Sequence, residues 1–357
     1  MSKNQPNSRS ELVSLHAPWN HNENAIWLAS TVRLCRNIDK FKFAQKLEEE
    51  RKLQLLQLTS KAALQAPCLV NPYMLKTESL SPAEKEFLIE HFLLFEGFQE
   101  AGKASAVMLD ESGEAIILFN IKEHLQIQAT DCLGDIESAF AKVIAIESKI
   151  AETVNFAFSA KFGYLTGDPL KCGTGLLVSA FLHLPALIHQ RTLAGHLEKE
   201  KMEGIFTAGL QGNPDDLVGD ILMLRNMHTI GLNEESIIST VRNAILHLVV
   251  AEKDARSKIK ASQDIVFKDH ICRAIGLLKH SYKLDALEAL SHLSFLKLGI
   301  ELGWVKGMNT EEINTLFFDS RRSHLIYLLH NEDSKVDIAV QRAEYLREKT
   351  SKLQFKL

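Results

Sequence analysis

The sequence predicts an α+β fold, with a mixed domain over residues 1–255 followed by an all-helical domain over residues 256–357. Up to about residue 255, short apolar runs typical of strands alternate with segments of helical periodicity. Beyond Lys258, the apolar segments have a helical period and short polar stretches join them. A length of 357 residues is sufficient for two domains. We expect the helical domain to begin within about ten residues of Lys258.

The first elements of the mixed domain can be assigned from local signals. The segment SPAEKEFLIEHFLLF predicts a helix capped by Ser81, with Pro82 at its first position and Glu84 in the capping-box position. SAVMLDESGEAIILFN then predicts a hairpin around its D-E-S-G turn, and IKEHLQIQA alternates like a further strand. IESAFAKVIAIESKIAETV has a helical period and predicts the next helix.

The later elements include a glycine-containing loop and the longest helix. From Gly163 to Leu187, a loop rich in glycine and threonine leads into an apolar run that predicts a buried strand. DILMLRNMHTIGL predicts another strand, and NEESIISTVRNAILHLVVAEKDARSKI predicts a long helix capped by Asn233. After it, three segments read as helices: DALEALSHLSFLKLGIELGWV, TEEINTLFFDSRRSHLIYLLHN and SKVDIAVQRAEYLREKTSKL.

Composition limits the classes of function. The chain is 46% hydrophobic and 24% charged, as in ordinary globular domains, and its net charge of −4 gives no reason to expect nucleic acid or an acidic membrane as a partner. The longest apolar runs are shorter than the ~18 residues that a membrane span needs, and the start of the chain lacks the apolar core of a signal peptide. Five scattered cysteines without a C-x-x-C motif favour a reducing cytoplasm over a disulfide framework or a zinc site.

Four stretches agree in order and spacing with the motifs of one family. LASTVRLCRNIDKFKF resembles S-S-R-x-R-L-A-R-N, and LFNIKEHLQIQA resembles N-E-E-D-H-L-R-I. FGYLTGDPLKCGTGLLVSAFLHLPAL resembles G-Y-L-T-x-C-P-T-N-x-G-T-G-x-R-A-S-V-x-L-H-L-P-x-L. GLQGNPDDLVGDILMLRNMHTIGLNEESI resembles an R-G-x-x-G-E segment with its following S-N-Q-x-T-L-G. The family is the ATP:guanido phosphotransferases, specifically the bacterial protein-arginine kinases of the McsB type, to which the helical C-terminal domain also corresponds.

The resemblance implies a fold, a reaction and partners. The fold would be a catalytic domain built on a large antiparallel sheet flanked by helices, followed by a helical domain. The reaction would transfer the γ-phosphoryl group of ATP, bound with Mg²⁺, to a guanidinium group. In the family, five arginines clamp the phosphates, two glutamates hold the guanidinium, and a cysteine lies beside it. Proteins of this type act with an activator and the protein-degradation machinery, and the resemblance also implies a homodimer.

The family's arginine positions are mostly substituted in this sequence. They correspond to Thr31, Arg33, Gln126, Leu177 and Ala208, so only the second is still an arginine. Catalysis of phosphoryl transfer depends on cations placed around the phosphates, and four of these five positions no longer provide one.

The positions of the glutamates and the cysteine are substituted as well. The glutamates correspond to Lys122 and Asn213, and the cysteine corresponds to Asp168. In the same strand His124 matches, and a histidine in such a place is more often a packing residue than a catalyst. What is retained serves the backbone and the core rather than the phosphates: Gly163, Tyr164, Leu165, Thr166, Pro169, Gly173, Thr174, Gly175, Ser179, His183, Leu184, Pro185 and Gly231.

Several cations could rebuild part of the clamp. Lys171 and Arg225 stand where the family is usually uncharged, and Asp168 could orient a different cation. Arg36 matches a family arginine, and its role could equally be a phosphate contact or a structural one. On this basis the predicted nucleotide-binding positions are Ser30, Thr31, Arg33, Gln126, Lys171, Ser179 and Arg225.

The helical domain has one candidate residue. McsB-type proteins often carry an R-D-x-x-R-A motif that binds phosphoarginine, and the matching stretch here is IAVQRA. Arg342 is retained, whereas Ile338 and Ala339 replace the first two positions. The polar sequence QRAEYLREK predicts that Arg342 lies on an exposed helix face.

Three hypotheses for function follow. The first is a degenerate protein-arginine kinase that acts through protein contacts in stress or proteolysis regulation. The second is an active ATP-dependent phosphotransferase with a rebuilt site, acting on guanidinium groups. The third is a module that binds nucleotide weakly through Arg33 without transferring a phosphoryl group. Whether ATP with Mg²⁺ binds at all separates the first hypothesis from the other two.

Overall fold

An eight-stranded antiparallel sheet organises the first part of the chain. The computed structural model describes residues 25–94, 97–99, 101–199, 202–210, 212–214, 216–329 and 337–356. The strands of this sheet are β1 Trp27–Arg36, β2 Tyr73–Lys76, β3 Ala106–Leu109, β4 Ala115–Ile121, β5 Glu123–Asp131, β8 Leu176–His183, β9 Ile205–Gly209 and β10 Ile221–Asn226. Their order across the sheet is β2-β3-β4-β5-β1-β8-β10-β9, and every neighbouring pair is antiparallel. The predicted antiparallel α+β architecture is confirmed.

The described part of the chain also contains two short strand pairs and eleven α-helices. The pairs are β6 Phe158–Ser159 with β7 Gly163–Tyr164, and β11 Val305–Lys306 with β12 Gln354–Phe355. The helices are α1 Glu49–Ala63, α2 Pro82–Phe92, α3 Ile136–Ala151, α4 Pro185–His189, α5 Leu193–Lys199, α6 Glu234–Ser262, α7 Ile265–His280, α8 Ala286–Glu301, α9 Thr310–Asp319, α10 Arg322–Leu328 and α11 Ile338–Thr350. No helix in the described ranges is both long enough and apolar enough to cross a membrane.

Local sequence signals begin two of these helices, α2 and α6, as predicted. The Ser81 hydroxyl accepts a hydrogen bond from the Glu84 amide at 3.2 Å, and the Glu84 carboxylate accepts one from the Ser81 amide at 2.7 Å. Asn233 caps α6 by accepting from the Ser236 amide at 2.8 Å. These bonds satisfy amide groups that have no partner within the helix.

Other elements differ from the prediction. The segment predicted as one helix from Thr310 onward forms two helices, α9 and α10, which meet at Ser320 and Arg321. The boundary between residues 255 and 256 lies within the continuous helix α6, and the next helix begins at Ile265. The division into two domains therefore stays a prediction.

The two faces of the sheet pack differently. On one face, residues such as Val32, Leu34 and Ile127 are buried in the main core, where α3 and α6 cover the central strands. On the opposite face, the β2–β4 end of the sheet forms a second core with α2, centred on Phe87 and Leu118. The remaining part of this opposite face contains most of the candidate site residues.

Arg342 corrects one prediction. It is only 2% exposed, although its sequence context predicts an exposed helix face. Its Nε donates to the Ser320 carbonyl at 2.5 Å, and Nη1 donates to the Leu284 carbonyl at 2.9 Å. The arginine thus connects α11 to the C-terminal end of α9 at Ser320, where the last carbonyls of a helix have no partner within it, and to the segment that precedes α8 at Leu284.

Candidate functional site

Residues from four adjacent strands share one face of the sheet. Arg33 on β1 lies opposite Gln128 on β5 and Leu177 on β8, and Cys35 lies opposite Gln126. Directly opposed residues of antiparallel strands point to the same side. We use the name polar sheet face below for six of the polar residues on this side: Thr31, Arg33, Gln126, Gln128, Ser179 and Arg225.

Ser30 does not join this group. Successive side chains of a strand alternate between faces, so Ser30 lies on the side opposite to Thr31. It is fully buried, and its hydroxyl accepts a hydrogen bond from the Trp27 indole at 2.8 Å. The structure thus separates Ser30 from the other predicted nucleotide-binding positions.

Arg33 is held by a neutral partner. Its Nε and Nη2 both donate to the Gln128 side-chain oxygen, at 2.9 and 2.6 Å. Gln128 in turn donates from Nε2 to the Phe92 carbonyl at 2.6 Å. Because the amide carries no charge, it orients the guanidinium without neutralising its positive charge.

The four substituted arginine positions are buried and uncharged. Thr31, Gln126, Leu177 and Ala208 are at most 8% exposed. Gln126 donates from Nε2 to the Ile121 carbonyl at 2.5 Å, so its amide supports the turn between β4 and β5. These positions therefore present no cation to the polar sheet face.

Lys122 lies in the turn between β4 and β5. Its backbone has a φ of +62°, and that of Asn120 has a φ of +56°. Asn120 donates from Nδ2 to the carbonyls of Lys52 and Ala104, at 2.9 and 2.8 Å, which holds the turn in place. The stem of Lys122 passes over Gly97, where an added Cβ would come within 2.4 Å of the lysine Cε. Lys122 is thus exposed on a well-supported turn.

The glycine loop is fixed by backbone contacts. Tyr164 and Gly173 exchange both amide–carbonyl hydrogen bonds, at 2.8 and 3.1 Å. Thr229, which follows β10, donates from its hydroxyl to the Cys172 carbonyl at 2.6 Å and accepts at its own carbonyl from the Thr174 amide. A Cβ on Gly173 would come within 2.3 Å of the Thr229 carbonyl oxygen. Only glycine fits this close approach of two backbones.

The charged residues of this loop are close to each other. Asp168 accepts from the Leu170 amide at 3.1 Å and approaches Lys171 Nζ at 3.5 Å. The aspartate therefore partly offsets the positive charge of Lys171. The sequence suggested that Asp168 could orient a cation, and the cation beside it in the structure is Lys171 of the same loop.

Glu123 is a site residue that sequence reasoning missed. It is 3% exposed and accepts from the Gly167 amide at 2.9 Å and from Asn37 Nδ2 at 2.5 Å. Burial raises the pKa of this carboxyl, although the bonds from Asn37 and Gly167 oppose the shift. Glu123 thereby ties the glycine loop to β5 and β1. The available signal was an acidic residue directly after Lys122 within the strand.

Arg36 has a structural role. It is 2% exposed, and its Nε pairs with Glu147 on α3 at 2.8 Å. Its Nη1 donates to the carbonyls of Thr174 and Cys35, at 2.8 and 2.9 Å, and its guanidinium lies 3.5 Å from the centre of the Tyr164 ring. Of the two roles left open by the sequence, this geometry supports the structural one.

His124 is a packing residue, as predicted. Its Nδ1 accepts from the Ile38 amide at 3.0 Å, and its Nε2 donates to the Lys42 carbonyl at 2.9 Å. Burial lowers its pKa to about 4, so the ring is neutral near pH 7. Both ring nitrogens are occupied, which leaves none for proton transfer.

The other candidates lie apart along the sheet and its loops. Arg225 on β10 is partly exposed, and its guanidinium lies 5.2 Å from the centre of the Phe206 ring. Strand β8 separates it from Arg33. Asn213 is an exposed loop residue whose carbonyl accepts from the Gly209 amide.

The described residues can be tested against the requirements of a metal or a triphosphate. Within them, no three His, Cys, Asp or Glu side chains gather in a way that could hold a metal ion. A triphosphate would meet one oriented guanidinium, Arg33, with Arg225 two strands away and Lys171 beside an aspartate. This is a poor fit to Mg²⁺-bound ATP, whose phosphates need several converging cations.

Comparisons with protein families give two matches. A model described as the C-terminal catalytic domain of ATP:guanido phosphotransferases matches residues 48–255. A second model, described as the C-terminal domain of the protein-arginine kinase McsB, matches residues 264–356.

Individual proteins are similar over most of the chain. The protein-arginine kinase of Chlamydia pneumoniae is 33% identical over 335 residues, which cover 92% of this chain and 93% of that protein. The protein-arginine kinase of Halothermothrix orenii is 29% identical over 329 residues, covering 91% and 93%.

Solved structures share the fold at low identity. The crystal structure of lombricine kinase superposes with a TM-score of 0.57 at 15% identity, over 69% of this chain and 71% of that one. The duplicated taurocyamine kinase of Schistosoma mansoni with bound transition-state analogue components also gives 0.57, at 20% identity, over 70% and 36%. These structures support the large antiparallel sheet flanked by helices.

Proposed function

The chain belongs to the ATP:guanido phosphotransferase family, on its protein-arginine kinase branch, and we propose that it is a degenerate member of that branch. It acts through protein contacts in stress or proteolysis regulation instead of through phosphoryl transfer. One observation carries this proposal: of the five positions that correspond to the family's phosphate arginines, only Arg33 is an arginine, and Gln128 orients its guanidinium.

The energetic argument concerns the transition state. Phosphoryl transfer spreads negative charge over the equatorial oxygens, and fixed cations stabilise that charge. The loss of one preorganised donor typically lowers the rate by about 10²–10³. Losses within one site are not additive, but four missing cations leave little stabilisation.

Lys122 adds an unfavourable interaction with the substrate. At its position the family has a glutamate that attracts the cationic guanidinium. An ammonium group there repels a guanidinium, so the substitution reverses the interaction as well as removing it. The turn between β4 and β5 that carries this lysine is held in place by Asn120, and the stem of Lys122 passes over Gly97.

Family resemblance supplies the proposed context. The partners would be an activator protein or components of the proteolysis machinery in the cytoplasm, and the chain would form a homodimer. The glycine loop keeps the backbone contacts that hold its shape, which is consistent with a surface retained for binding.

The direct test is incubation with ATP, Mg²⁺ and an arginine-rich protein, followed by detection of phosphoarginine. We expect no product above background. Gln126→Arg alone and Lys122→Glu alone should also be inactive, because the missing groups act as a unit. The informative variant restores arginine at positions 31, 126, 177 and 208 and glutamate at positions 122 and 213. Phosphoarginine formation by the unaltered protein, abolished by Arg33→Ala, would refute the proposal.

The alternative is an active phosphotransferase with a rebuilt site. Arg225 favours it, because this arginine lies on the same sheet face as Arg33 at a position where the family is usually uncharged. Calorimetry with Mg²⁺·ATP separates the possibilities. No binding at millimolar nucleotide supports the degenerate protein, binding without transfer indicates a nucleotide-responsive module, and binding with transfer supports the alternative.

A further inference from the structure

Helix α2 contacts both the polar sheet face and the helical part of the chain. At its C-terminal end, the Phe92 carbonyl accepts the hydrogen bond from Gln128 Nε2 at 2.6 Å. Gln128 is fully buried, and its side-chain oxygen accepts both bonds from Arg33. The C-terminal end of α2 is thus connected to Arg33 through a single side chain, that of Gln128.

The same last turn of α2 contains Glu90, which is buried against α10. Its carboxylate accepts from His324 Nδ1 at 2.9 Å and from the Ser323 hydroxyl, and it lies 3.5 Å from Arg321 Nε. Burial would raise the pKa of Glu90, but Arg321 and the bonds from His324 and Ser323 lower it overall. The carboxylate therefore stays charged and firmly held.

Apolar packing reinforces this contact. The Phe87 ring lies 4.3 Å from the His324 ring and 5.3 Å from the Tyr327 ring, measured between centroids. Tyr327 belongs to the second core cluster, which also contains Leu118 of β4. The α2–α10 contact is therefore part of the packing that covers this end of the sheet.

We propose that α2 couples the helical part of the chain to Arg33, with Glu90 and Gln128 as positioning residues. The contact of Glu90 with α10 fixes the last turn of α2. The Phe92 carbonyl at the end of that turn orients the Gln128 amide, which orients the Arg33 guanidinium. This inference holds whichever ligand Arg33 meets, and it does not rest on the absence of phosphoryl transfer.

The chemistry of the amide group explains why the carbonyl matters. A glutamine side chain has a donor end and an acceptor end, and rotation by 180° exchanges them. The Phe92 carbonyl can accept only from the donor end, so it directs the oxygen of Gln128 towards Arg33. Without that carbonyl, the amide could turn its NH₂ group towards the guanidinium, where a donor would face a donor.

Exchange of the Arg33 Nε–H with solvent, followed by ¹⁵N NMR, tests the coupling. The signal is assigned by its disappearance in Arg33→Lys. We expect Glu90→Gln to speed this exchange by at least about tenfold, while the amides of the central strands exchange at unchanged rates. The matched control is Glu86→Gln, one turn earlier in α2, which removes a more exposed pair with Arg322 and should leave the Arg33 signal unchanged.

A reciprocal measurement completes the test. Because coupling between two places is thermodynamically symmetric, Gln128→Met should speed amide exchange in α10. The proposal is overturned if Glu90→Gln loosens α10 but leaves Arg33 Nε–H exchange unchanged. It is equally overturned if all amides of β1 and β5 accelerate together with Arg33, because that result indicates general destabilisation.

Discussion

Replacing Arg36 tests whether this arginine belongs to the core or to a phosphate site. In Arg36→Met the thioether retains much of the contact with Tyr164, while Glu147 loses the guanidinium 2.8 Å away. Removing one partner of a buried ion pair costs about 3–5 kcal/mol, because the other charge stays buried without compensation. The carbonyls of Thr174 and Cys35 also lose their bonds to Nη1. Since Glu147 is 11% exposed and can gain some water, we expect a loss of about 4 kcal/mol in the free energy of unfolding.

Urea unfolding at pH 7 measures this loss, and two further variants serve as controls for its cause. Arg36→Met combined with Glu147→Leu should recover about half of the stability, because no buried charge is then left alone. Arg273→Met removes an exposed pair with Asp269 and should cost less than about 0.5 kcal/mol. A loss below about 1 kcal/mol for Arg36→Met would contradict the structural role, since it would mean that solvent hydrates the arginine in the folded protein.

Three further predictions concern stability. Burial lowers the pKa of His124 to about 4, so the unfolded chain binds a proton at pH 5 that the folded protein does not. The free energy of unfolding should therefore fall by about 2 kcal/mol between pH 7.5 and pH 5. His124→Gln should remove that part of the pH dependence in urea titrations. Arg256→Met leaves the buried carboxylates of Glu252 and Glu301 without their shared guanidinium, and calorimetry should show a loss of about 3–5 kcal/mol in the free energy of unfolding. Arg256→Lys should restore less than half of that loss, because one ammonium group cannot bridge both carboxylates. Ser81→Ala should cost about 1 kcal/mol in urea unfolding, whereas Ser81→Asp, which keeps an N-cap acceptor, should cost a few tenths.

Short-range features of this chain were predictable from its sequence. The caps of α2 and α6 depend on residues three positions apart, and the β3–β4 hairpin pairs residues at most 13 positions apart, from Ala106 to Phe119, so local sequence is sufficient to predict them. The four motifs also placed the glycine loop and the strands around it within one known family fold. The departures from the family motifs at Lys122, Asp168 and Asn213 could also be predicted, because the order of the residues is sufficient to detect them.

What the tertiary structure decided is the environment of the charged residues. Arg36 could be a phosphate contact or a core residue until Glu147, 111 positions away in the chain, was found beside it. Arg342 was predicted to be exposed from its polar neighbours, yet it donates to a carbonyl 58 positions away and is buried. Glu123 gained its role from the Gly167 amide, which approaches only when the loop folds over β5. The burial of a charged side chain depends on partners that folding brings from distant parts of the chain, and local sequence contains no record of them.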